Sequence, residues 1–116
     1  MARVLAFVPD LLFGSNVVGA LRASGHEVRL VSALEDVSLG DANVLVIDLT
    51  ADAAARIAAA LQLLARAERE LRTLAFFSHV EADVREAARA AGFDLVVPRS
   101  RMARAAGELV DSLAPN

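Results

Sequence analysis

The sequence predicts a three-layer α/β sandwich, in which helices cover both faces of a five-stranded parallel sheet. Short runs rich in β-branched residues alternate with longer helical patterns, which is typical of parallel βαβ units. The run Val44-Leu45-Val46-Ile47 is apolar at every position, as expected for a central strand buried on both faces. The length of 116 residues suits a single domain, residues 1–116. The strand order that we expect is 2-1-3-4-5, with right-handed crossovers.

The predicted strands are short apolar runs bounded by turn or helix-start signals. The third strand is the most strongly marked, because it contains the uninterrupted apolar run. We expect the five strands at residues 3–8, 27–31, 43–49, 72–77 and 94–97.

The predicted helices fill the gaps between the strands. The first ends at a glycine stop, Gly25, and the fourth begins with the capping box Ser78-His79-Val80-Glu81. Between the second and third strands Gly40 breaks a short helical pattern, so we expect a short or irregular second helix there. We expect the other four helices at about residues 11–23, 53–71 and 78–92, and from residue 100 or 101 to residue 113.

Apolar spacing predicts which helix faces turn toward the sheet. It leaves Leu63 outside the inward stripe of the third predicted helix, as a candidate surface contact. The inward residues of that helix are predicted to be Ile57, Leu61, Leu64 and Leu71, and those of the fifth Met102, Ala106, Leu109, Val110 and Leu113.

Composition excludes several classes of function. All twelve basic residues are Arg, so no mechanism here can use a lysine, and the net charge of −3 gives no electrostatic reason to expect nucleic acid. The absence of Cys excludes disulfides, thiolate metal sites and cysteine nucleophiles. We see no leader peptide or membrane-spanning stretch, so we expect a cytoplasmic protein with no membrane partner.

The polar residues that follow the predicted strands form the candidate site. In a sheet of this order, ligands bind outside the carboxyl ends of the strands, where helix N-termini offer unpaired amides. The residues at this edge are Pro9, Asp10, Asp48, Thr50, Ser78, His79, Arg99 and Ser100.

Most of these residues have more than one interpretation. Asp48 is either a phosphoacceptor or a strand-end carboxylate that pairs with Arg99 or caps a helix. Asp10, Ser78 and Ser100 are expected first of all as helix caps.

His79 is open to three interpretations. It could act as an acid–base group or pH sensor, bind a metal together with Asp83, or simply lie exposed in the first turn of a helix. Neither the Gly-x-Ser-x-Gly elbow of hydrolases nor a glycine-rich phosphate loop is present. We therefore expect no catalytic residue, no enzyme activity, no cofactor and no metal site.

Three features of the sequence carry a family resemblance. They are Asp48 at the end of its strand, Ser78 after the fourth strand, and the stretch Ala91-Gly92-Phe93-Asp94-Leu95-Val96-Val97-Pro98-Arg99-Ser100. Over essentially its full length the chain resembles the receiver domain of bacterial response regulators. The resemblance implies a flavodoxin-like fold and a place in two-component signal transduction. It also implies that Asp48 occupies the phosphoacceptor position and Ser78 that of a conserved hydroxyl.

The chain departs from the receiver pattern around the acceptor. The acidic pair that holds magnesium in the family is replaced by Val8-Pro9, and the family's lysine by Arg99. The switch tyrosine is Val96, and the Met-Pro turn is Thr50-Ala51. Asp48 alone is a poor magnesium site, because that ion needs near-octahedral oxygen ligation.

These features lead to a degenerate, stand-alone receiver-like signalling domain as the first prediction. It would act through contacts with a protein partner or a second copy, on the face formed by the fourth predicted helix, the fifth strand and the fifth predicted helix. One alternative is a module that binds a small anionic molecule with Asp48, Ser78, His79, Arg99 and Ser100. The other is a true phosphoacceptor receiver that uses Asp48.

Overall fold

The computed structural model describes residues 1–78 and 81–115, which form five strands and four helices. The five strands make one parallel sheet in the order β2-β1-β3-β4-β5, which confirms the predicted topology. The elements are β1 (Arg3–Phe7), α1 (Leu11–Ala23), β2 (Glu27–Val31), β3 (Val44–Asp48), α2 (Ala53–Ala65), β4 (Arg72–Phe77), α3 (Ala82–Ala90), β5 (Leu95–Pro98) and α4 (Arg99–Leu113).

Two apolar layers, one on each face of the sheet, form the core. On one face α1 and α4 pack against the sheet, with Val46 and Phe76 among the residues that they cover. On the other face α2 and α3 cover residues such as Leu45 and Ile47. Helices therefore lie on both faces, and β3 is buried at every position, as its uninterrupted apolar run predicts.

The sheet has two edges, β2 and β5. The side chains of Glu27 and Arg29 on β2 are exposed. At the other edge, β5 has four residues and ends at Pro98.

Helix α1 begins and ends where the sequence predicts. The Asp10 carboxylate accepts a hydrogen bond of 2.8 Å from the Phe13 amide, which confirms Asp10 as the cap. Gly25 follows the helix with a φ of 87°, a left-handed conformation that glycine adopts without strain. Gly14 lies so close to the preceding turn that a Cβ there would stand 2.8 Å from the Val8 carbonyl oxygen.

Helix α2 differs from the prediction in length and in the face that it buries. It ends at Ala65 rather than at residue 71, and Leu63 is fully buried although its side chain was predicted to face outward. Leu61, predicted to face inward, is 40% exposed. The physical reason is Ala60, which is fully buried: a small side chain lets the helix approach the sheet closely, so the buried face is centred on Ala60 and Leu63.

The short second helix of the prediction does not form. Residues 32–43 cross from β2 to β3 without regular structure, and the crossing contains two positive φ angles, 60° at Asp36 and 54° at Gly40. Arginine side chains hold its backbone in place. Arg29 donates to the carbonyl oxygen of Ser38, while Arg66 and Arg69 donate to two other carbonyl oxygens of the crossing.

The last two helices start at other residues than predicted. Helix α3 is preceded by Glu81, which makes no side-chain cap, so Ser78 is not its cap. His79 and Val80 of the predicted capping box lie outside the described residues. Helix α4 begins at Arg99 after Pro98, which places Ser100 inside the first turn rather than at the cap. The inward stripe of α4 is confirmed, since all of its predicted members are buried.

His26 is a buried polar residue for which no role was predicted. Its Nδ1 accepts a hydrogen bond of 2.9 Å from the Ala2 amide, so the proton of the neutral ring is on Nε2. Nε2 lies 2.7 Å from Asp111 Oδ1. The ring therefore links the start of the sheet to the C-terminal end of α4.

Candidate functional site at the carboxyl edge of the sheet

Asp48 is the last residue of β3 and lies at the carboxyl edge of the sheet, as predicted. It is 3% exposed, and in the sheet it pairs with Phe76 of the neighbouring β4. A carboxylate in such a position requires hydrogen bonds or a cation to offset the loss of its hydration.

The first partner of Asp48 is Thr50, two residues further along the chain. Asp48 Oδ1 accepts a hydrogen bond of 2.7 Å from the Thr50 amide and one of 2.5 Å from the Thr50 hydroxyl. This arrangement is a local side-chain-to-backbone turn of the kind that Asp favours. Part of the hydrogen-bonding capacity of the carboxylate is therefore used within the loop that follows β3.

The cation beside Asp48 comes from α2. Arg56 Nη1 lies 3.7 Å from Asp48 Oδ1 and donates a hydrogen bond of 3.1 Å to the Asp48 carbonyl oxygen. The guanidinium also lies over the ring of Phe7, 5.0 Å from its centroid. The Arg56 side chain is only 17% exposed, so solvent screens this interaction less than it would a surface pair.

Asp48 does not pair with Arg99, so this interpretation of the sequence is wrong. The Arg99 guanidinium lies 4.0 Å from the centroid of the Phe13 ring, in a cation–π contact with α1. Phe13 in turn packs against Phe76, with 5.3 Å between ring centroids. This contact holds Arg99 on the face of the sheet that α1 and α4 cover.

Arg56 was not among the sequence-predicted site residues. A signal for it was present: it is the single basic residue of α2, and it lies near the start of the helix that leaves the edge directly after β3. A long side chain near that helix start can reach back to the end of the strand. The first turn of α2 therefore supplies a residue to this edge of the sheet, as do the residues that follow the strands.

Among the described residues, the other predicted site residues do not form a metal site with Asp48. Asp10 uses its carboxylate to cap α1, and the two residues that follow β1, Val8 and Pro9, have no side-chain oxygen. Within residues 1–78 and 81–115, no group of three His, Asp or Glu side chains could hold a metal ion. The magnesium ion that the receiver resemblance implies does not fit this donor set, because Asp48 is its one carboxylate. His79 lies outside the described residues.

No protein-family model matches the chain, and no curated protein matches it. Solved structures do match. The response regulator receiver protein from Burkholderia phymatum has a TM-score of 0.79 to this structure at 16% identity, and the match covers 100% of both chains.

The chain has the fold of a response-regulator receiver domain.

Two larger proteins contain the same receiver fold. NtrX from Brucella abortus, solved in complex with ADP, matches with a TM-score of 0.81 at 16% identity over 97% of this chain. The chain spans only 26% of the NtrX chain. A response regulator from Burkholderia pseudomallei, solved with a phosphorylated aspartic acid, calcium and citrate, matches at 15% identity with a TM-score of 0.76. That match covers 100% of this chain and 68% of the other.

Proposed function

We propose that this protein is a receiver-fold signalling domain of the bacterial cytoplasm that acts through protein–protein contacts, without magnesium-dependent phosphorylation of Asp48. The observation that carries the proposal is the environment of Asp48, whose Oδ1 is engaged by Thr50 and lies beside the Arg56 guanidinium. A carboxylate whose charge is already compensated within the chain has less need of a bound cation. The proposal assigns no enzyme activity to the domain.

The residues after β1 support the same proposal. Phosphoryl transfer depends on positioning the donor and on neutralising its charge, for which metal ions bridging the phosphate oxygens are the usual means. Neither Val8 nor Pro9 carries an oxygen on its side chain, so these two residues contribute no side-chain ligand to such an ion. The Burkholderia pseudomallei response regulator, which contains this fold, was solved with a phosphorylated aspartic acid, so we attribute the expected lack of phosphorylation here to these residues and not to the fold.

The surface that we propose for contacts is formed by α3, β5 and α4. It carries exposed charges of both signs, which suit a partner with a complementary pattern. Within this surface, Arg85 Nη2 lies 3.5 Å from Glu86 Oε1. Its exposed charged residues include Asp83, Arg85, Glu86, Arg89, Arg101 and Arg104.

Intact-mass measurement after incubation with acetyl phosphate and magnesium tests the proposed chemistry. We expect no phosphoryl adduct on the wild-type chain under conditions that phosphorylate an authentic receiver in a parallel reaction. D48N is the matched control, because it removes the acceptor and retains the shape of the side chain. An adduct on the wild type that D48N lacks would show that Asp48 is a working phosphoacceptor.

A second experiment tests the contact surface. The oligomeric state, or the binding of a partner, is compared between the wild type and R101E/R104E, in which two exposed cations of α4 are reversed. We expect the association to weaken at least tenfold, because like charges then oppose each other across the interface. R22E is the control, since Arg22 is exposed on α1. Equal weakening by R22E and R101E/R104E would reject the proposed surface.

A second candidate function is the binding of a small anion at the carboxyl edge of the sheet. The environment of Arg99 favours this function. Arg99 is exposed, and it pairs with no carboxylate in the part of the chain that the structure describes. Amide chemical shifts during a phosphate titration test this candidate. Saturable shifts at Arg99 and Ser100 that disappear in R99Q would support it.

A further inference from the structure

A cavity of about 330 Å³ lies at the amino edge of the sheet, opposite the edge that carries Asp48. It is bounded by the residues just before β3 and β4 and by the C-terminal end of α2. Its apolar part includes the partly exposed side chains of Val37, Leu39 and Ala67, which pack against core residues such as Leu63 and Leu71. The volume falls at the lower end of the range of roughly 300–1,000 Å³ that small-molecule sites occupy.

The irregular crossing between β2 and β3 bounds this cavity. Residues 37–40 line it where the predicted second helix does not form. A regular helix packed on the sheet would cover this part of the apolar layer with side chains. The crossing instead leaves the side chains of Val37 and Leu39 partly exposed at the cavity.

Two arginines give the cavity its charge. Arg66 Nη2 lies 3.5 Å from the Val37 carbonyl oxygen, and Arg69 Nη2 donates a hydrogen bond of 3.1 Å to the Gly40 carbonyl oxygen. Neither guanidinium pairs with a carboxylate among residues 1–78 and 81–115. Each guanidinium has five N–H donors, so both retain donors for a further acceptor.

Glu68 also lines the cavity, so the charged lining of two arginines and one glutamate has a net charge of +1. An apolar floor with an excess of positive charge is complementary to a molecule with an apolar body and an anionic head. Arginine suits such a head group, because its planar fork of donors matches carboxylate and phosphate oxygens.

We propose that this cavity binds a small amphipathic organic anion. The apolar body would rest on Val37, Leu39 and Ala67, and Arg66 and Arg69 would bind the carboxylate or phosphate head. The site is separate from Asp48 and from the proposed contact surface, so this proposal does not depend on the proposed function.

Titration with octanoate, followed by amide chemical shifts of the labelled full chain, tests the proposal. We expect saturable shifts at Gly40 and Ala67, with one binding site. R69Q should weaken binding about tenfold, because one charge-assisted hydrogen bond is lost. R69K should restore part of the affinity, and E68Q should strengthen binding, since it removes the opposing charge. R22Q, which removes an exposed arginine of α1, should leave the octanoate affinity unchanged.

Two further ligands separate the contribution of the head group from that of the apolar body. 1-Octanol has the same chain without the charge and should bind at least tenfold more weakly than octanoate. Octyl phosphate shows which head group is preferred, and tighter binding than octanoate would identify a phosphate ligand. Equal affinity for octanol and octanoate would overturn the proposal, because the arginines would then have no role.

The arginine variants also require a check on folding, because Arg66 and Arg69 hold the crossing in place and lie beyond the C-terminal end of α2, where cations are favourable. A67F provides this check, because it places a large side chain at the cavity and keeps both arginines. We expect A67F to retain the native amide spectrum elsewhere and to lose octanoate binding. Octanoate binding by A67F with wild-type affinity, or no saturable shift at the cavity of the wild type, would also overturn the proposal.

Discussion

The interaction between Asp48 and Arg56 makes a quantitative prediction. Their charged groups are 3.7 Å apart, and the two side chains are 5% and 17% exposed. Unit charges about 4 Å apart interact by about 1 kcal/mol in bulk water and by about 4 kcal/mol at the effective dielectric constant of a site near the protein surface. Desolvation and side-chain ordering offset part of this, so we expect a coupling free energy of about 1–3 kcal/mol.

A double-mutant cycle in urea denaturation measures this coupling. D48N removes the charge but keeps an oxygen that can accept from the Thr50 amide, and R56Q removes the guanidinium. The loss of the Arg56 contacts with the Asp48 carbonyl oxygen and with Phe7 occurs in both arms of the cycle, so it cancels. We expect more than half of the coupling to persist in 1 M sodium chloride, since the pair is largely buried.

A coupling below about 0.5 kcal/mol would refute this reasoning. It would mean that Arg56 is held by its contacts with the backbone and with Phe7 alone. The proposal that Asp48 is compensated within the chain would then lose its electrostatic support, although the hydrogen bonds from Thr50 would remain.

Three other predictions concern stability in the same urea assay. G19A should stabilise the chain by about 0.5–1 kcal/mol, because a Cβ there meets nothing within 4 Å, whereas G14A should destabilise it by about 1–2 kcal/mol, because its Cβ would press on a backbone carbonyl. L63A should cost about 2–5 kcal/mol and L61A less than about 1 kcal/mol; similar costs would contradict the observed orientation of α2. H26A should cost about 1–3 kcal/mol and speed the hydrogen exchange of the Ala2 amide, which donates to the His26 ring. Unchanged exchange would contradict the role of His26 as the acceptor for this amide.

Sequence patterns predict this fold well where one signal dominates. The apolar run of β3 fixes the central strand, and the spacing of large apolar residues in α4 identifies its buried face. Asp10 is predicted correctly as a cap, because the cap geometry depends only on the next three residues. In each case the deciding interaction is local or depends on a single periodic pattern.

The errors arise where tertiary contacts select among local options. In α2 the stripe of large side chains suggests one face, but Ala60 allows a closer approach and turns Leu63 inward. At the candidate site, Arg99 was predicted as a partner of Asp48, but Arg56 is the arginine beside it. The ring of Phe13 engages Arg99, and that contact depends on how α1 and α4 pack together. Spacing along the chain cannot rank these alternatives.

The two edges of the sheet have a consequence for aggregation. An exposed strand edge can pair with a strand of another chain and start an intermolecular sheet. On β2, strand addition would bring foreign side chains against the exposed charges of Glu27 and Arg29. On β5, four residues give a short template, and Pro98 lacks the amide that would extend the ladder. Both edges therefore disfavour the addition of a strand from another chain, which is the first step in the growth of an intermolecular sheet.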